Sequence, residues 1–286
     1  MNRRLTQLAG ALALILTALA NTAGASVRAA DVARQFFPGE YQTVLAGEQT
    51  VPVLFSEASL PLVRGVIIIL VEEGTQNLNL ASARELAFAL NTKGWHTLVS
   101  PSLLVTGAPA TQTTETTGET ATQPHPMSAS VTPAVNYAAS QAQLLQLMTA
   151  LNNYLTSYKG YRLVVASGMT AAQLLALSAS DTLAPPDSMI TIAPFWPQRE
   201  YNHELPGLMA QTGFPLLDIS TSMANPWQRD TATKRRNAAR TALKLQYRQR
   251  QLQAVNTASA DGRSANAPFV NWLSGEIYGW ISYLGW

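Results

Sequence analysis

The chain has no cysteine in 286 residues. That excludes disulfides, thiolate metal sites, a cysteine nucleophile and a lipid anchor built on an N-terminal cysteine. Histidine is nearly as scarce, with His96, His125 and His203 standing in unlike contexts and none after His203. Without a His-x-x-x-His spacing or a Cys pair, no metal site is expected. Neither common type of glycine-rich phosphate loop is present, so no nucleotide or other cofactor is expected. Charge is sparse too: charged residues make up 13% of the chain against 47% hydrophobic, the balance of a packed domain rather than a disordered one.

Apolar runs long enough to cross a bilayer are also missing. Leu8 to Ala20 falls short of the roughly 20 residues a spanning helix needs. Arg3 and Arg4 precede it and Ala23-Gly24-Ala25 follows, the pattern of a secretory signal peptide over residues 1–25, cleaved after Ala25. The expected mature protein is one periplasmic domain, residues 26–286, with no transmembrane segment left. Losing Arg3 and Arg4 takes Lys plus Arg from 19 to 17 against 17 Asp plus Glu, so the formal net charge falls from +2 to 0. A neutral, exported domain is not a nucleic-acid binder. Its length suffices to bury a stable core without disulfides.

What is there is an alternation of buried strands and amphipathic helices. Thr43 to Ala46 and Thr50 to Phe55 pattern as strands joined at Ala46-Gly47-Glu48, a short N-terminal β-meander. Gly65 to Val71 is a continuous β-branched run, as in a strand covered on both faces. Ala81 to Thr92 puts Leu86 and Leu90 on one helical stripe, and Lys93-Gly94 stops it before a strand at Trp95 to Val99. Residues 106–133 are rich in Thr, Gln, Glu, Pro and Gly and are expected to form a flexible surface insertion that includes His125.

Beyond the insertion, Leu144, Met148, Leu151 and Leu155 share a helical face. Tyr161 to Ala166 reads as a strand turning sharply at Gly168 into a helix; Met189 to Ala193 and Phe214 to Ile219 are further strands, separated by a polar stretch that includes His203 and a helix-like stretch ending at Gly213. Asp230 to Tyr247 follows as a basic helix, Gln249 to Val255 as a last strand and Pro268 to Trp286 as a closing helix. The alternation predicts an α/β fold: a three-layer sandwich with a mainly parallel central sheet and helices on both faces.

Four stretches carry a narrower likeness: Arg64 to Leu70, Lys93-Gly94-Trp95-His96-Thr97-Leu98, Pro215 to Ile219 with Asn225-Pro226-Trp227, and Tyr247-Arg248-Gln249. By their order and spacing the chain resembles the exported, α/β-hydrolase-like domain-of-unknown-function family 3530. That resemblance implies an α/β-hydrolase-like fold, in which one strand leads to an oxyanion loop, a later strand-turn-helix carries the nucleophile, and an acid and a histidine follow.

The resemblance places Gly168, in Ala166-Ser167-Gly168-Met169-Thr170, at the nucleophile position, because small residues must flank the strained turn. Glycine has no nucleophilic atom. Ser167 stands one residue early, with Val165 and Met169 at the crowded flanks, and its hydroxyl is expected to satisfy nearby backbone groups. The acid position falls near Ala224, Asp218 lies inside a strand with an expected structural role, and no histidine follows to carry a proton. Glu72-Glu73-Gly74 occupies the oxyanion loop, where carboxylates oppose a developing oxyanion. The expectation is a degenerate triad with no catalytic residues, in a binding or accessory protein. The alternative is an esterase or other acyl hydrolase with Ser167 as relocated nucleophile and His203 brought in from another loop.

Arg229, Lys234, Arg235, Arg236, Arg240, Lys244, Arg248 and Arg250 form one basic segment in an otherwise neutral protein. A solvated helix face is the plain expectation. The functional one is contact with an anionic envelope component through Lys234, Arg235, Arg236, Arg240 and Lys244. The aromatic residues of the closing helix are expected to pack across the sheet.

Overall fold

The computed structural model describes residues 39–72, 78–104, 135–221, 225–252 and 267–286. The proposed signal peptide, Glu73, the 106–133 insertion with His125, and Ala224 lie outside the described residues.

Strands β1 (Gln42–Ala46) and β2 (Gln49–Ser56) form an antiparallel hairpin. β3 (Gly65–Val71), α1 (Leu80–Asn91) and β4 (Trp95–Pro101) make the first β-α-β unit. Then come α2 (Tyr137–Tyr154), β5 (Tyr161–Ser167), α3 (Gly168–Ala179), β6 (Ser188–Ile192) and α4 (Arg199–Gln211). The described chain closes with β7 (Leu216–Thr221), α5 (Pro226–Thr241), β8 (Tyr247–Leu252) and α6 (Ala267–Tyr283). One eight-stranded sheet results, ordered β1-β2-β4-β3-β5-β6-β7-β8. β2 pairs antiparallel with β4, and every pairing from β4 to β8 is parallel.

Alternation along the strands sorts the core into two layers. Ile67, Ile69, Leu163, Val165, Ile190, Ile192, Leu217 and Ile219 face α1 and α6. Val66, Ile68, Leu70, Val164, Ala166, Met189 and Leu216 face α2, α3 and α4. At the central β3–β5 crossing the strands come so close that a Cβ on Gly65 would lie 2.0 Å from the Tyr161 carbonyl oxygen. Only glycine fits there.

The basic helix and the last strand differ from their sequence expectation. α5 starts at Pro226, not Asp230, because the Asn225 side chain accepts from the Gln228 N–H at 2.9 Å while the Gln228 side chain accepts from the Asn225 N–H at 3.0 Å. It stops at Thr241, and Leu243, at φ 53°, turns the chain so that Tyr247 can open β8. Val255 lies outside the described residues.

α6 packs as expected: Trp280 is fully buried and its indole N–H donates to Ser188 Oγ at 2.9 Å. Trp286 stacks on Tyr161 at 4.2 Å between ring centroids. Among the described residues no helix is long and apolar enough to cross a membrane.

Candidate functional site

β5 ends at the corner the fold reserves for a nucleophile. Gly168 opens α3 there with φ 56°, a left-handed turn that a side chain tolerates only under strain. The chain thus makes a sharp strand-to-helix turn with no side chain at its corner. The space is filled by Glu72, the residue that follows β3. A Cβ built on Gly168 would lie 2.8 Å from Glu72 Oε2 and 3.0 Å from Oε1. Glu72 itself is 2% exposed, and its carboxylate accepts the Thr170 N–H at 2.9 Å.

A carboxylate at the first turn of a helix meets unpaired N–H groups and the positive end of the helix dipole. Burial nevertheless dominates, pushing the Glu72 carboxyl up to about 7, while the N–H groups of Thr170 and Met169 and the Thr170 hydroxyl pull the other way. Met169 follows the corner residue, the place from which this fold donates an N–H to an oxyanion.

Ser167 and His203 are not brought together. Ser167 is fully buried and pairs in register with Ile192, on the face covered by α1 and α6. His203 belongs to α4, across the sheet, where its half-exposed ring lies 3.7 Å from Asp230. The Ser167 hydroxyl has no hydrogen-bond partner among the described residues, contrary to the expectation that it serves nearby backbone: strand alternation turns it into an apolar layer. His96 accepts the Ala58 N–H on Nδ1 at 3.0 Å and packs against Phe55 and Tyr158. Among the described residues no cluster of three or more His, Asp or Glu could hold a metal ion.

Asp218 is a buried structural hub. Arg235 donates through Nε to Oδ2 at 3.0 Å and through Nη2 to Oδ1 at 3.3 Å, and Tyr247 Oη and Gln249 Nε2 each donate to Oδ2 at 2.9 Å. Burial and the neighbouring Asp218 carboxylate push the Tyr247 phenol far up, so it stays a donor. Arg235 was expected on an anion-binding surface, and the structure corrects this: its side chain is 1% exposed, because α5 turns it inward onto β7.

The rest of the basic segment also divides. Arg248 lies over the rings of Trp280 and Tyr283, Arg250 pairs with Glu276 at 2.8 Å, Lys234 pairs with Asp230 at 2.9 Å, and half-buried Lys244 donates to the Thr212 carbonyl. The missed role of Arg235 had a signal: Gln228, Thr231, Arg235 and Ala239, the buried stripe of α5, recur at helical spacing.

Solved structures share the architecture. The esterase domain of a Rhodothermus marinus protein superposes with a TM-score of 0.52 at 13% identity, covering 84% of this chain and 96% of that one. Est1E from Butyrivibrio proteoclasticus gives 0.52 at 8% identity, covering 85% and 100% respectively. A thermophilic esterase from Thermogutta terrifontis gives 0.53 at 9% identity, covering 86% and 96%. At such identities the likeness shows the fold alone. No curated protein matches the sequence. Residues 18–273 match the family described as "Protein of unknown function (DUF3530)", and the chain belongs to that family, with the fold of an α/β hydrolase.

Proposed function

We propose that this is an exported periplasmic protein that has kept the α/β-hydrolase scaffold and lost its chemistry, and that it acts by binding. One observation carries the reading: the Glu72 carboxylate fills the space above Gly168 and takes the N–H groups of α3. A hydrolase needs a nucleophile and an electropositive hole at that corner. Here the first is a hydrogen atom and the second is filled by the Glu72 carboxyl. The sequence also has no histidine after His203 to relay a proton. Export rests on the residue pattern from Arg3 to Ala25. An anionic envelope component suits the basic residues that remain exposed, among them Lys234, Arg236 and Arg240.

The experiment combines a fluorophosphonate serine probe with turnover of short acyl esters, run on the mature protein and on Ser167→Ala. The expected result is no labelling and no hydrolysis above background in either. Labelling or turnover that Ser167→Ala removes would overturn the proposal and favour the relocated serine.

A further inference from the structure

A cavity of about 270 Å³ opens at the carboxyl ends of β7 and β8, between those ends and α5. Ligands of parallel α/β sheets collect at this edge, beyond the carboxyl ends of the strands. In the family resemblance it is where the acid and the histidine would stand. The wall carries different chemistry. It includes Thr221, Gln249 and Gln251 together with Arg229, Arg235 and Arg236, and no carboxylate is among its described lining residues.

These arginines are not equivalent. The charge of Arg235 is met by Asp218 beneath it. Arg229 and Arg236 are exposed, and among the described residues neither has an ion-pair partner. Seven residues apart on α5, they lie on the same side of the helix two turns from each other. Two guanidinium groups without ion-pair partners, on a wall with no carboxylate among its described residues, make a set short of negative charge. A ligand with several acceptor oxygens and negative charge completes it.

We infer that this cavity is a binding site for an oxyanion group, a phosphate or a carboxylate, held by Arg229 and Arg236. The volume lies just under the roughly 300 Å³ at which pockets for drug-sized ligands begin, so it suits the charged head of a ligand rather than an acyl chain. The site rests on the binding reading above and gives it a ligand class. Its readout is anion affinity, so it can fail while the catalytic silence stands, and the reverse.

The test is calorimetric titration of the mature protein with inorganic phosphate and, separately, with acetate at low ionic strength. Saturable binding near or below about 1 mM to at least one of them is expected, weakening as salt is raised. The stronger of the two identifies the phosphate or carboxylate source. Arg229→Gln with Arg236→Gln should weaken binding at least about tenfold. Arg240→Gln, an equally exposed cation outside the cavity, should bind like wild type. The assignment is overturned if neither anion saturates by about 20 mM, if the double variant binds unchanged, or if Arg240→Gln weakens binding as much as the double variant does.

Discussion

Glu72 is the residue on which the corner turns, and its buried carboxyl gives a pH test with a definite sign. Its folded value is raised from 4.5 to about 7. The unfolded chain therefore releases this proton first, so the stabilisation is complete below about 4.5 and is lost as pH rises through about 7, amounting to roughly 3 kcal/mol. Urea unfolding of wild type and Glu72→Gln at pH 4.5, 5.5 and 7.5 reads the difference. Wild type should lose stability relative to the variant with rising pH, since the glutamine oxygen can still accept the Thr170 N–H but does not titrate; parallel profiles would remove Glu72 from the account. A second residue prediction concerns the buried pair. Arg235→Ala leaves Asp218 uncompensated in the core and should cost about 3–5 kcal/mol, whereas exposed Arg236→Ala should stay within about 0.5 kcal/mol in the same denaturation assay. The carboxylate of this pair could be recognised as structural from its place within a strand. Its partner could not, because in a run of basic residues one inward-turned guanidinium looks like its solvated neighbours.

Elements differ in how plainly residues announce them. β3, β5 and β6 are largely apolar, since a parallel strand covered on both faces leaves little place for polar side chains; β7 adds Asp218, buried because Arg235, Tyr247 and Gln249 bond it, and each of the four was readable to within about two residues. β8, Tyr-Arg-Gln-Arg-Gln-Leu, has no apolar run, because its inward Tyr247 and Gln249 bond to Asp218 and its outward arginines meet α6. The empty nucleophile position was legible from the small residues around Gly168, whereas the carboxylate that fills it comes from an element almost a hundred residues earlier. That junction of β3 and α3 can be tested by a double-mutant cycle. Gly168→Ser imposes a positive φ on a residue with a side chain and drives its Cβ into Glu72, and should cost about 1–3 kcal/mol from the backbone alone. In a Glu72→Ala background the steric part disappears, so the penalty of Gly168→Ser should shrink by about 0.5–3 kcal/mol. Additive effects in urea titrations would show that the two side-chain positions do not compete for one space.

At the scale of the whole molecule the question is whether the two core layers act as one. They share a single sheet: each central strand sends alternate side chains to α2, α3 and α4 on one face and to α1 and α6 on the other, so neither layer can loosen without uncovering the strands the other rests on. α6 is the sharpest probe of this, because it follows every described strand and meets the sheet through Trp280, fully buried and bonded to Ser188 at the start of β6. Trp280→Ala removes the largest apolar side chain of that helix's buried face and leaves the Ser188 hydroxyl without the indole donor, a cost of about 3–5 kcal/mol. For a domain of this size each kcal/mol lowers the melting midpoint by about 2–4 °C, so a drop on the order of 10 °C is expected. If the sheet couples the layers, far-ultraviolet and near-ultraviolet circular dichroism will shift together and melt as one transition. A near-ultraviolet signal that melts first, with the far-ultraviolet midpoint left at the wild-type value, would mean that α6 is a detachable cover and that the opposite layer holds the sheet alone.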